Sequence, residues 1–240
     1  SAMIVKFSNR QLYGAMFKEL FELFMYRCQV EYISVTRIDL ALDLQTFKNN
    51  LHPLNLIKGF VFDKYLKNGR GKFTIHGEQK FTNEFQTLRF GTKTSPVNVY
   101  LYNKSIELRQ VQDKPYIRAR WDELGAVPGV DVWRLEISIK AEGTGFVNLN
   151  TGEYDKVSIY TVFESDILHH VYFSFIAQYF AFKINDQTKN KTRMKALQLF
   201  ADYDALFKPL YLPNTTGSNL SDKIFIKKLF QFDQEFRGVD

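Results

Sequence analysis

Three short segments alternate apolar and polar residues without interruption, and that pattern commits a chain to half-buried strands. In the first, Ile38, Leu40, Leu42 and Leu44 alternate with Arg37, Asp39, Ala41 and Asp43. The second sets Val97, Val99 and Leu101 against Asn98, Tyr100, Tyr102 and Lys104. The third sets Trp133, Leu135, Ile137 and Ile139 against Val132, Arg134, Glu136, Ser138 and Lys140. Successive side chains of a strand point to opposite faces, so each segment has one face for a core and one that carries charge. A further strand is expected over Lys72 to His76, after the turn signal at Asn68 to Gly71.

Helical periodicity surrounds these strands. Leu12, Met16, Leu20, Leu23 and Phe24 recur at helical spacing over Asn9 to Arg27, with Ser8 and Gln11 as a capping box, and this stripe is expected to pack on the sheet. A short helix entered at Pro53 is expected between Leu51 and Leu66. Two more are expected over Ile167 to Ile184, N-capped by Ser165 or Asp166, and over Arg193 to Phe207, ended by Pro209. The strands lie too close together for repeated βαβ units. An α+β fold follows, with a mostly antiparallel central sheet and helices packed on one face. Residues 1–150 read as the sheet-centred core and 151–240 as a mainly helical part packed on it.

Composition narrows the function classes. With 45% hydrophobic residues, 23 Phe and 13 Tyr in 240 positions, the chain carries a large core and is no disordered tail. The single cysteine, Cys28, excludes an intramolecular disulfide and a cysteine-rich zinc site, and points to a reducing compartment. No apolar run reaches 18 residues, so no membrane span is expected. The 32 Lys and Arg against 26 Asp and Glu give +6, which favours a polyanionic partner. Basic segments run from Lys58 to Lys72 and from Lys183 to Lys195, the latter holding Lys189, Lys191 and Arg193, with Lys223, Lys227 and Lys228 beyond. Each could neutralise phosphates or simply keep a ring-rich domain soluble. No phosphate-binding glycine loop of the ATPase or dinucleotide type is present.

The polar faces hold the candidate chemistry. Asp39, Asp43 and Glu136 occupy polar positions on two strands, and Tyr100, Tyr102, Lys104 and Arg134 occupy the equivalent face nearby. If the strands adjoin, these acids cluster, a state tolerated with a bound cation or with interleaved Arg and Lys. Oxygen donors suit Mg²⁺ or Mn²⁺ rather than zinc. A divalent ion beside a tyrosine hydroxyl is equipped for attack on a phosphodiester. The competing reading is structural: Asp39 with Arg37, and Glu136 with Arg134, form ion pairs on a solvated face, and the tyrosines are ordinary strand residues. His169 and His170 point about 100° apart on a helix and read as packing residues, while His76 beside Gly77 and Glu78 is a lone strand histidine.

The segments RIDLALD at Arg37 to Asp43, RFGTKTSPVNVYLYNKSIEL at Arg89 to Leu108 and WRLEISIK at Trp133 to Lys140 together resemble the replication initiation factor family, Rep_trans. That family carries an R-[IV]-D-x-A-x-D strand, a Y-x-G-[ST]-R-x-S…R-x-Y-[DN]-K stretch and an R-x-E strand in this order. The resemblance implies a nicking-endonuclease (HUH-like) sheet and a DNA-nicking initiator of rolling-circle replication, or a relaxase, of a bacterial mobile element. It also implies a cytoplasmic setting, a 5′-phosphotyrosine intermediate, Mg²⁺ or Mn²⁺, single-stranded or hairpin origin DNA and a possible helicase partner. Carried over by residue, Asp39, Asp43 and Glu136 are motif acids and metal ligands, with Glu78 a further candidate. Tyr102 is the nucleophile, with Tyr100 second, and Arg89, Lys93, Ser95, Lys104 and Arg134 contact DNA. The sequence departs from the pattern where Arg89 replaces the first tyrosine and Lys93 the arginine. If the first tyrosine is the family's nucleophile, the chain is a catalytically inactive DNA-binding accessory factor on the same fold.

Overall fold

Trp133, Leu135, Ile137 and Ile139, each at most 2% exposed, make the strand β6 (Trp133–Lys140) the anchor of the core. The structure is a computed structural model that describes residues 4–12, 16–31, 36–69, 72–80, 82–92, 94–140, 146–148, 154–155, 165–200 and 211–213. In chain order its elements are α1 (Asn9–Leu12), α2 (Phe17–Cys28), β1 (Arg37–Leu44), α3 (Pro53–Val61), β2 (Tyr65–Lys67), β3 (Phe73–Lys80), β4 (Thr82–Phe90), β5 (Val97–Asn103), α4 (Lys104–Gln110) and α5 (Pro115–Glu123). After β6 come β7 (Phe146–Asn148), β8 (Tyr154–Asp155), α6 (Ser165–Tyr179), β9 (Phe182–Ile184), β10 (Ala196–Leu197) and β11 (Tyr211–Pro213).

Five of these strands form the main sheet, in the order β1-β6-β5-β4-β3, with every pairing antiparallel. The chain is α+β, as its alternation predicts. The three alternating segments are adjacent in the sheet, and their apolar positions share one face. That face is covered by α3, through the fully buried Leu56 and Ile57, and by α6, through Val171, Tyr172, Phe173, Phe175 and Ile176. The Tyr172 hydroxyl donates to the Leu135 carbonyl at 2.8 Å, which satisfies a polar atom buried by that packing. His52 caps α3 by accepting from the Leu54 amide, ahead of Pro53 at the first helical position.

A three-stranded sheet, β10-β9-β2, sits on the helical side. Phe182 of β9 lies among the rings of Phe60, Phe90 and Phe180, and Tyr65 of β2 is buried in the same core. The strands β11, β7 and β8 pair as a third sheet.

Three sequence expectations change. The helix expected to Ile184 ends at Tyr179, its last turn closed by the Phe180 amide donating to the Ile176 carbonyl, after which the chain extends into β9 and places Phe182 in the ring cluster beside Phe180. Over Arg193 to Phe200 the expected helix is a turn followed by β10, and the rest of that segment lies outside the described residues. Near the N-terminus the Ser8 and Gln11 capping box forms reciprocally, the Ser8 amide donating to Gln11 Oε1 and the Gln11 amide to Ser8 Oγ. Yet Leu12, Met16, Leu20 and Leu23 are exposed rather than packed on the sheet. The buried side of α2 is instead Phe21, which meets Phe7 edge-on beside Phe17, so the helix closes on its own leading segment.

Gly59 couples α3 to the small sheet, because a Cβ there would strike the buried Tyr65 ring. Gly59→Ala is expected to lower the unfolding free energy by about 1–3 kcal/mol, read as a lower urea midpoint at unchanged slope.

Candidate active site

The opposite face of the main sheet is laid out by strand register in three rows. The first runs Asp43, Arg134, Tyr102, Thr87, His76 across all five strands. The second runs Ala41, Glu136, Tyr100, Arg89, Thr74, and the third Asp39, Ser138, Asn98. The alternation that buries one face thus brings Asp39, Asp43, Glu136, Tyr100, Tyr102, Arg89 and Arg134 together on the other. Glu136 stands directly opposite Tyr100, and Asp39 is its diagonal neighbour across the β1–β6 pair.

The first row is covered over β1, β6 and β5, while His76 at its far end is exposed. Arg134 is 4% exposed and donates to Asp43 through Nε and Nη2, each at 2.6 Å. The Trp121 indole of α5 donates to the same carboxylate at 2.8 Å, which seats that helix over the end of the row. Tyr102 is 9% exposed and its hydroxyl donates to Glu136 Oε2 at 3.2 Å. Lys104, 2% exposed, donates to Glu107 at 2.6 Å and lies 5.5 Å from the centre of the Tyr102 ring. Asn103, the N-cap of α4, accepts from the Ile106 amide and donates to Asp131, which also binds Arg109.

The second and third rows are more open. Tyr100 is half-buried, its ring 4.8 Å from that of Tyr102 and beneath the Arg89 guanidinium at 6.0 Å. Arg89 is fixed by donating to Asn98 Oδ1 at 2.8 Å. Asp39 is exposed and accepts from Arg37 Nε at 2.7 Å.

Proton affinities follow from this layering. Burial foremost, and then the Glu136 carboxylate, push the Tyr102 hydroxyl far above the ordinary phenol range, against the opposing effect of Arg134. Burial and then the charge of Asp39 raise Glu136 above the usual glutamate value, so this carboxylate holds a proton more readily than a solvated one. Lys104 is lowered by burial despite its bond to Glu107.

Several residues read from the sequence take other places. Asp43, expected among metal ligands, has both oxygens engaged by Arg134 and Trp121. Arg134 and Lys104, expected to neutralise phosphate, are internal cations with internal carboxylate partners. Glu78 pairs opposite Glu84 on the edge strand, beyond a bulge at His76/Gly77, three strand spacings or about 14 Å across the sheet from β6. Ser95 closes the β4–β5 hairpin by accepting from the Thr92 amide, next to Gly91 at φ +89°, where a Cβ would press on the Val97 carbonyl. Lys93 lies outside the described residues. Lys189, Lys191 and Arg193 lie in the β9–β10 connection on the helical side. Trp121 and Asn98 were not anticipated as site residues. Nothing in sequence spacing links Trp121 to Asp43, 78 positions away.

Among the described residues no group of three or more His, Cys, Asp or Glu is arranged to hold a metal ion. What remains is the pair Asp39 and Glu136. Two carboxylates completed by water are the donor set that Mg²⁺ accepts, and the charge of Asp39, after burial the second cause of the raised proton affinity of Glu136, is one that a cation would offset. The pair fits a hydrated hard cation and does not fit a fully protein-enclosed one.

No protein-family model matches the chain, and no curated protein matches it. The family resemblance therefore rests on the three motifs alone. Among solved structures the chain is similar to a rolling circle replication initiator protein from Geobacillus stearothermophilus, with 20% identity and a TM-score of 0.41. The likeness covers 76% of this chain and 62% of that one. Among the described residues no helix is long and apolar enough to cross a membrane.

Because the folded protein favours protonated Glu136, that group contributes stability below the unperturbed value of 4.5 and loses it as pH rises through its elevated folded value. The difference in melting temperature between wild type and Glu136→Gln is therefore expected to shift against wild type as pH is raised from 4.5. A difference independent of pH would mean Glu136 titrates normally.

Proposed function

We propose that the open sheet face cleaves and rejoins a single DNA strand through a tyrosine. One observation carries this reading: register places a half-exposed tyrosine, Tyr100, directly opposite a carboxylate with raised proton affinity, Glu136, beside a second carboxylate, Asp39, and a guanidinium, Arg89. Burial of a carboxylate costs stability, and Glu136 bears that cost with its proton affinity raised; chemistry on an anionic substrate gives it a purpose. The order of the three motifs supports the same reading.

In this mechanism the Tyr100 oxygen attacks phosphorus and its proton passes to Glu136, while the bond to the 3′-oxygen breaks and that oxygen takes a proton from water to leave as an alcohol, the resulting hydroxide being neutralised as Glu136 releases its proton to solvent. The strand stays joined to the chain as a 5′-phosphotyrosine, and reversal by the 3′-hydroxyl rejoins it. Exposure favours Tyr100 over Tyr102, whose hydroxyl is buried and already donated to Glu136. Tyr102 then fixes the orientation of the base. Arg89, held by Asn98 above Tyr100, is placed to neutralise the phosphate. Asp39 and Glu136 would hold a hydrated Mg²⁺ or Mn²⁺, which when bound polarises the phosphoryl oxygens.

The replacement of the pattern's first tyrosine by Arg89 supports a second reading, in which the same face binds DNA without cutting it. A covalent-adduct assay on single-stranded oligonucleotides with Mn²⁺ separates the two. The first reading expects an adduct from wild type, none from Tyr100→Phe, and a 10²- to 10⁴-fold slower one from Tyr102→Phe. An adduct lost only in Tyr102→Phe reverses the assignment. Strand binding without an adduct from wild type establishes the second reading.

A further inference from the structure

The two most basic stretches of the chain lie more than 100 residues apart in sequence, yet β2 and β9 pair antiparallel and bring them together, with Leu66 opposite Lys183 and Lys67 opposite Phe182. The ten-residue region from Asn185 to Met194 that follows β9 is tied back to the first stretch. The Asn185 amide donates to the Lys64 carbonyl, and its side chain donates to the Asp63 carbonyl at 2.7 Å. Lys183 Nζ donates to the Lys191 carbonyl at 2.8 Å, and the side chains of Asn185, Asp186 and Asn190 accept from amides two residues on. Met194 is buried and pins the far end of the loop.

On this scaffold Lys64, Lys189, Lys191, Arg193 and Lys195 are exposed and Lys183 half-exposed. Asp63 and Asp186 are the acids in the two stretches. Lys189, Lys191, Arg193 and Lys195 form no ion pair among the described residues. Lys67 is different: its ammonium packs over the Phe90 ring at 5.1 Å and is lowered by burial, so it belongs to the packing beneath. The open sheet face balances carboxylates and tyrosines with the arginines Arg37, Arg89 and Arg134, whereas this surface, on the helical side of the same sheet, carries cations without matching acids.

We infer that the β2–β9–β10 surface is a second nucleic-acid site that grips the phosphate backbone of a duplex arm, separate from the strand-cutting face. It rests on the reading above only for the identity of the polyanion. Duplex is favoured over single strand because platforms for unpaired bases present successive exposed rings. Here the loop from Asp186 to Lys195 contains none, and the exposed rings Phe62 and Phe73 lie outside it, so no succession of rings lines the surface. Cations with amide and hydroxyl groups are the chemistry of backbone contact, which positions a duplex without reading its sequence.

The test compares wild type with the triple variant Lys189→Gln/Lys191→Gln/Arg193→Gln, whose fold is checked by thermal melting. Binding to a 20-base-pair duplex is followed as salt is raised, alongside adduct formation on a short unpaired oligonucleotide. Each lost phosphate contact lowers the slope of log K against log salt by about 0.9. The variant is expected to lose about two to three units of slope and at least tenfold in duplex affinity, with adduct formation on the unpaired strand unchanged. An unchanged duplex slope overturns the inference. So does an equal loss on duplex and single strand, or wild-type preference for phosphatidylserine vesicles over duplex. The duplex measurement needs no covalent chemistry, so it decides this surface whether or not the adduct forms.

Discussion

The arrangement of the open face depends on one buried interaction, the two-pronged bond between Arg134 and Asp43. A guanidinium that is 4% exposed cannot be left without a counter-ion, and Asp43 supplies it from the neighbouring strand with two bonds at 2.6 Å. The pair ties β1 to β6 on the polar side, where no apolar packing does so. Trp121 donates to the same carboxylate and brings α5 over the row. The positive charge of Arg134 is felt by Tyr102 and Glu136, which it draws toward their ionised forms against burial. A residue that reads in sequence as one more surface charge is the internal brace of the site.

Because that row is closed over Asp43, Arg134 and Tyr102, the chemistry is confined to the rows beside them. Glu136 lies at the boundary, reached from the covered side by Tyr102 and facing Tyr100 and Asp39 on the open side. A carboxylate in that position is dry enough to bind a proton more readily than a solvated one and open enough to meet a substrate. Among the described residues the exposed sheet face interleaves acids and tyrosines with arginines, whereas the small sheet behind it carries cations with few acids.

Strict alternation made β1, β5 and β6 legible in the sequence, and with them the two-faced sheet, because a period of two admits one backbone. The helix caps at Ser8 and His52 depend on neighbours three or fewer positions away, so the first could be read directly. Elements were lost where rings dominate: Phe180 and Phe182 continue an apolar stretch in sequence, and the strand conformation of Phe182 goes with a ring cluster built by Phe60, Phe90 and Phe180. The helical stripe of α2 was visible, but its packing on Phe7 instead of the sheet was a tertiary choice. In the site, face membership could be read and partners could not. Arg134 chose Asp43, Lys104 chose Glu107, and Trp121 entered from a helix with no patterned link to the strands. Glu78 fell away because register with Glu84 places it on the far edge.

The central claim is that Asp39 and Glu136 form the cation-binding pair of a phosphodiester site. Titration with Mn²⁺, followed by electron paramagnetic resonance, addresses it most directly. The account predicts one Mn²⁺ per chain for wild type and for Glu78→Gln, with binding weakened at least tenfold in Asp39→Asn and Glu136→Gln, all four proteins remaining folded. Equal Mn²⁺ affinity in wild type, Asp39→Asn and Glu136→Gln, or a site lost in Glu78→Gln, would contradict it.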